Sequence, residues 1–363
     1  MPIYRPALRF KEGEYLALAS LPEDMKREVI PYFVIPPLAE RDPEKRRAIR
    51  SDEIAYITGE RIGRYWPLQS AYVDLRFVLP ELSAKDVARV FAQAASKNDD
   101  LIPVIPAVDF EGFPWKEVIR NESPKAAIYI PHSELDYDLL NNVLASIRLS
   151  ASECELFVDF SSEELSPEIA TDSVIATVED LAIQQPWACI IFQASNFPIK
   201  NPADPDNECL IPRYEWEIYK QLLAAADVPR ERLGFSDYGP DTGTIVFPTK
   251  SGGGMPIRHL RYSTTNGTLV MRGKKEGNQS DEIRRILKKL ISRSEFFGAD
   301  YSIADREMFD AATGRSGVGN ATTWRRWNMG HHFALVLREY GKFIGRKFAP
   351  VVISEHHDQI QLL

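Results

Sequence analysis

Two short stretches of this 363-residue chain put ionisable groups where an apolar strand would otherwise run. In AYVDLRFV, Asp74 and Arg76 stand two apart and so share one side of a strand, and in LFVDF a single carboxylate, Asp159, is embedded among apolar neighbours. An unpaired charge in such a setting costs several kcal/mol, or shifts its pKa and neutralises. Each of these carboxylates therefore needs a partner, and Arg76 is the expected partner of Asp159. Two readings stand: a ring of structural ion pairs, or a ligand-facing set in which Asp74 and Asp159 hold a divalent cation, Mg or Mn, through oxygen. A third stretch, NATTWRRWNMGHHF from Asn320 to Phe333, offers stacking faces in Trp324 and Trp327 and forked donors in Arg325 and Arg326. Those suit a nucleobase and a phosphate, while the plainer reading has the tryptophans docking a helix and the arginines capping carboxylates. His331 and His332 are adjacent, so on a helix or strand their side chains diverge and cannot share one metal. One of them is expected to reach a site as acid or base, the other to anchor its segment. His132 in IPHSE is either a third acid or base or an ordinary loop residue.

Such residues need a scaffold, and the chain supplies a repeating one. Eight strand-like apolar runs recur: YRPALRFK, VIPYFVIPP, AYVDLRFV, LIPVIPAV, AAIYIPHS, CELFVDFS, ACIIFQAS and LGFSDYG. Helix-compatible segments lie between them, among them EGEYLALASLPEDMKREV, LSAKDVARVFAQAASKN and YEWEIYKQLLAAAD. Ser83 followed three residues on by Asp86 resembles a capping box. Continuous apolar strands alternating with helices point to a parallel sheet covered on its faces, and eight such units close a barrel. The fold class read from this is α/β, a (β/α)8 TIM-like barrel over residues 1–240, preferred to an open doubly wound sheet because no GxGxxG turn follows the first strand. Residues 241–363 are read as a C-terminal α+β extension packing on the barrel: a Gly- and Pro-rich loop to Pro256, a hairpin turning at Asn266-Gly267 as a type I′ turn, a basic helix over SDEIRRILKKLISRSEF and a last helix. In a parallel barrel the carboxyl ends of the strands share one rim, which gathers Arg9, Lys11, Asp74, Arg76, Asp109, His132, Asp159, Gln193, Ser195, Asn196, Asp237 and Tyr238.

Composition narrows the class of function. A net charge of -8 argues against broad binding to a nucleic-acid backbone, which wants a basic face. No apolar run is long enough to span a bilayer and the first residues lack a signal peptide's apolar stretch, so the expectation is a cytoplasmic protein with no membrane partner. The cysteines, Cys154, Cys189 and Cys209, lack CxxC spacing and read as free thiols.

The opening YRPALRFKEGEYLAL, the strands YVDLR and FVDFS, the stretch FSDYG, the hairpin RYSTTNGTLVMRG and the closing GNATTWRRWNMGHHF resemble the phage beta protein family of T-even bacteriophages and bacterial genomes. The resemblance covers nearly the whole chain. Its pattern marks Tyr4, Pro6, Lys11, Gly13, Glu14, Asp237, Tyr238, Arg261, Tyr262, Gly273, Trp324, Arg325, His331 and His332, and the chain departs from it in the RRWNMG stretch before the histidines. What it implies is a setting of phage–host conflict and antiviral defence; no reaction comes with it. Because the first and eighth strands of a closed barrel are neighbours, these residues are expected to form a composite rim site. There Lys11, Arg76, Tyr238, Arg261, Trp324, Arg325 and His332 would bind a phosphate-bearing small molecule, a nucleotide or a nucleic-acid end. For an enzyme the expectation is metal-dependent phosphodiester hydrolysis with His331, Asp237 and Glu14 as catalytic groups; the alternative is a non-catalytic sensor acting through a protein partner.

Overall fold

Each of the eight apolar runs forms one strand of a single parallel sheet, because strands that are apolar on both sides can only lie between two covered layers. The computed structural model describes residues 4–98, 100–119, 125–247 and 257–350. In chain order the strands are β1 (Ala7–Leu8), β2 (Tyr32–Val34), β3 (Ala71–Asp74), β4 (Leu101–Pro106), β5 (Ala126–Pro131), β6 (Cys154–Asp159), β7 (Cys189–Gln193), β8 (Glu208–Ile211) and β9 (Leu233–Ser236). All but β8 pair in sequential order, β1 through β7 and then β9. The two ends of that order meet. Tyr4 bridges Phe235 in parallel, Arg5 N–H donates to Phe235 O at 2.9 Å and Ala7 N–H to Asp237 O at 2.7 Å. The sheet is thus a nearly closed eight-stranded parallel barrel, consistent with a TIM-like fold, and an open doubly wound order does not occur.

The helices that cover it are α1 (Glu12–Ala19), α2 (Glu23–Lys26), α3 (Ser51–Tyr65), α4 (Ala84–Ala95), α5 (Trp115–Val118), α6 (Tyr137–Ile147), α7 (Pro167–Gln184) and α8 (Tyr214–Ala225). The expected capping box opens α4, with Ser83 and Asp86 bonded to each other's backbone N–H. Inside the barrel, Tyr32, Tyr72 and Phe157 pack together with Val34, Ile102, Val104 and Ile191. Below this layer Arg5 pairs with Glu155 at 3.1 Å, both nearly fully buried, and Arg5 Nε also donates to Tyr72 Oη at 3.1 Å.

Beyond β9 the chain builds β10 (His259–Ser263), β11 (Thr268–Arg272), α9 (Gln279–Ile291), α10 (Ile303–Thr313) and α11 (Ala321–Phe343). The hairpin forms, and β8 adds a third strand along β11. Its turn differs from expectation: Ser263 faces Thr268 and Thr264 N–H reaches Gly267 O, so Thr265 and Asn266 occupy the corner without positive φ, and it is not a type I′ turn. Gly267 serves packing instead, since a Cβ there would lie 2.5 Å from Ile211 O on β8. Residues 248–256 of the expected loop lie outside the described residues.

The last helix is buried nearly all round. Phe333, Ala334, Val336, Leu337 and Tyr340 join the core between barrel and helices. Trp324 and Trp327 join a second core with β10, β11, α9 and α10. Against the barrel, α11 packs on α1, sets Phe333 against Tyr4, and sets Tyr340 against Trp216 and Tyr219 of α8. It therefore covers the seam where β9 meets β1.

Candidate functional site

A cavity of about 270 Å³ opens beside that seam at the carboxyl-end rim, lined by Pro240, Asp241, Ile257, His259, Arg261, Ala321, Trp324, Arg325, Asn328 and Met329. Several elements bring these residues in. Gly13 lets α1 and α11 touch along their backbones, since a Cβ there would meet Thr322 O at 2.6 Å and Arg325 Cβ at 2.9 Å. That contact lowers Arg325 onto Glu14 of α1, an ion pair at 2.8 Å, and onto Asp241 at 3.2 Å. From β10, Arg261 reaches Asp241 at 2.7 Å and Pro240 O at 2.9 Å, lies over the Phe197 ring, and has its own N–H held by Asn328 Oδ1 at 3.1 Å. Arg9, following β1, closes the circle with Nη1 3.5 Å from Asp241.

Three guanidiniums thus surround one carboxylate, with a second carboxylate, Glu14, at the edge, and the ensemble keeps one surplus positive charge. The positive end of α11 faces the same space through Ala321. Burial works to raise the Asp241 carboxyl, but Arg261, Arg9 and Arg325 overcome it and hold it well below the carboxylate range. The surplus shows on the cations. Burial, with repulsion from Arg325 and Arg9, pushes Arg261 down. Burial and the neighbouring Arg261 push His259 down to about 4. His259 Nδ1 lies 3.1 Å from Ile257 O and must donate there, which assigns Nε2 of the neutral ring as an acceptor.

The histidine pair of α11 points elsewhere, in two directions. His332 Nε2 sits 2.9 Å from Asp237 Oδ2, and its Nδ1 is 2.7 Å from Ser263 Oγ; Tyr4 Oη donates to the other Asp237 oxygen at 2.6 Å. Burial lowers the His332 pKa, Asp237 opposes this, and the neutral ring donates to Asp237 and accepts from Ser263. A Ser–His–Asp set is thus assembled, but Ser263 and its partners are at most 1% exposed, so the set bonds β9, β10 and α11 together and offers no nucleophile to a substrate. His331 is fully buried, with Nδ1 2.9 Å from Asp305 and Nε2 2.7 Å from Ser263 O, and is stacked on Tyr262. It lies in the second core, away from the rim cavity.

Asp237 also departs from expectation. Phe235 and Asp237 face outward to α11 while Ser236 and Tyr238 face inward, so alternation takes Asp237 out of the barrel mouth. In the mouth itself, Arg76 pairs with Asp74 at 3.0 Å, not with Asp159. Asp159 is buried and held by Tyr238 Oη at 2.6 Å, Tyr129 Oη at 2.8 Å, Gln193 Nε2 at 3.3 Å and Ser161 N–H at 2.9 Å. Tyr32 Oη donates to Asp74 at 2.9 Å. Asp74, Asp159 and Asp237 accordingly belong to separate bonded sets, and among the described residues no three His, Cys, Asp or Glu side chains gather as a metal site. Lys11 is paired with Glu40, and Glu14 is buried under Arg325. His132 stacks on Phe160 and pairs with Glu163.

A family model described as Beta protein matches residues 4–338. The chain belongs to the beta protein family. No curated protein matches it in sequence. The family description names no ligand or reaction, so the chemistry must come from the geometry. Of the residues that the sequence brought together for a site, Arg261, Trp324 and Arg325 line the rim cavity, Glu14 lies under Arg325, Lys11 is taken up by Glu40, and Arg76 and Tyr238 belong to the barrel mouth. His259, Asp241 and Asn328 were missed. For His259 a signal existed, because in RHLRYS it stands two residues from Arg261 and so shares its side of the strand.

No helix of the described residues is long and apolar enough to cross a membrane. Cys154, Cys189 and Cys209 are free thiols.

Proposed function

We propose that the rim cavity binds the anionic group of a phosphate-bearing ligand, a nucleotide or a nucleic-acid end. One observation carries this reading: Arg9, Arg261 and Arg325 converge on a single carboxylate beside a cavity of ligand size, with positive charge in surplus. Forked guanidiniums match phosphate oxygens two at a time, and a helix N-terminus adds to the attraction. Recognition is favoured over phosphodiester hydrolysis because the carboxylates that would hold a divalent cation are each taken up by internal donors. In fold terms the reading is a (β/α)8 barrel whose eighth helix is α11, supplied by the C-terminal extension after the hairpin and α9–α10 have been inserted. A role in phage–host conflict fits this reading as a setting.

Isothermal titration with inorganic phosphate, pyrophosphate and a mononucleotide tests it. Saturable binding that weakens with salt is expected, with Arg261→Gln weakening it about tenfold or more, the worth of a charge-assisted hydrogen bond. Absence of binding by all of these ligands, or an Arg261→Gln protein that binds them as well as the native one, rejects the assignment.

A further inference from the structure

The mouth of the barrel holds a second cavity, of about 390 Å³, whose chemistry differs from that of the rim. Arg76, Phe77, Tyr129, Asp159 and Ser161 line it from β3, β5 and β6, and Gly243 to Ile245 wall it from above. Arg76 is fixed there. Its Nε lies against Asp74 at 3.0 Å and its guanidinium carbon lies over the Tyr129 ring, 3.7 Å from the centroid. Within the described residues neither terminal nitrogen makes a hydrogen bond, although the side chain is only 13% exposed. The buried Ser161 hydroxyl beside it likewise has no partner. The oxygens of Asp159, in contrast, are taken up by Tyr238, Tyr129, Gln193 and Ser161 N–H.

Two physical requirements on an occupant follow. The Arg76 fork can only donate, and the Ser161 hydroxyl beside it can donate or accept, so the occupant must present acceptors, two of them side by side to meet the guanidinium. Against Arg76 stand Asp74, Asp159 and, at the lip of the cavity, Glu134, two negative charges in surplus, so an occupant that adds negative charge is repelled. Phe77, Pro131 and Ile245 supply apolar walls suited to a flat body. We propose that the barrel mouth is a binding site for an uncharged planar heterocycle with two adjacent acceptors, the pattern of guanine's O6 and N7 edge. This site is independent of the anion site at the rim.

Guanosine, adenosine and benzoate, titrated by calorimetry into the full-length protein, separate the alternatives. Adenosine replaces one acceptor of the pair by a donor, and benzoate keeps a forked acceptor but brings a charge. The expected result is guanosine bound at least tenfold more tightly than either. Arg76→Lys, which keeps a cation against Asp74 but loses the fork, weakens guanosine by a similar factor. Should that variant fold poorly, Ser133→Trp at the exposed lip of the cavity is expected to block guanosine without changing the melting temperature. No guanosine binding at millimolar concentration, adenosine or benzoate binding as well as guanosine, or a folded Ser133→Trp protein with native affinity overturns the proposal.

Discussion

At His259 the neutral ring and the surrounding guanidiniums make a local gauge of the cavity's potential. Its Cε1 proton signal is expected to titrate near 4 in the free protein, and to titrate higher once inorganic phosphate occupies the site, because a bound anion favours the imidazolium. An unchanged midpoint at saturating phosphate would show that the anion sits elsewhere. Glu215, buried behind the rim, runs the opposite way: desolvation pushes its carboxyl up to about 7. Its folded pKa is above the unfolded value, so the native state binds more protons between about 4.5 and 7 and stability falls as pH rises through that window. Glu215→Gln is expected to remove on the order of 3 kcal/mol of that pH dependence, read from urea denaturation at pH 4.5 and 7.5. His331→Ala removes a buried ring that bonds Asp305 and the Ser263 carbonyl, and is expected to cost about 1 to 3 kcal/mol through the buried polar groups left short of a partner. The carboxylates' need for partners was legible in LFVDF and YVDLR, and which partner each takes was not. Arg76 and Asp159 are close in space, yet phenol hydroxyls from Tyr129 and Tyr238 settle the matter, and nothing local in the sequence singles those two out.

Among the elements, α11 carries the most consequence, since each of its faces serves a different core. Trp324→Ala removes a buried ring whose Nε1 donates to Val318 O at 2.7 Å, and a loss of roughly 3 to 5 kcal/mol is expected from such a large-to-small change. Gly13→Ala forces α1 and α11 apart at a backbone contact. A loss of about 1 to 3 kcal/mol is expected, together with weaker phosphate binding as Arg325 moves. A Gly13→Ala protein of native stability would mean the helices are not in the contact described. The strands and the α4 cap were readable because apolar period and capping are local. The third strand of the small sheet was not: β8 is four residues, half exposed, and exists because β11 offers it an edge. Likewise nothing in the sequence of α11 says that its His pair divides between two cores, since that depends on β10, which it meets across nearly seventy residues of chain.

Across the whole molecule the contacts that finish the barrel join residues far apart in sequence. Glu14 meets Arg325 across 311 residues, and Tyr4 meets Asp237 across 233. The repeating units of the sheet announce themselves in the sequence; the pairing of its two ends under a late helix does not, because no local period encodes it. That arrangement bears on how the molecule is made. During synthesis the strands leave the ribosome from β1 onward, but the part of the β9–β1 seam on which α11 packs stays open until α11 emerges, long after β9 itself. For that interval the apolar side of the seam, with Tyr4, Phe235 and Trp216, is open to other chains, and nascent protein in this state is the form exposed to aggregation and to chaperones. Completion is then a late event in which one helix seats on the barrel, assembles the arginine cluster and brings the second core into register, so the proposed anion site forms only once α11 has docked.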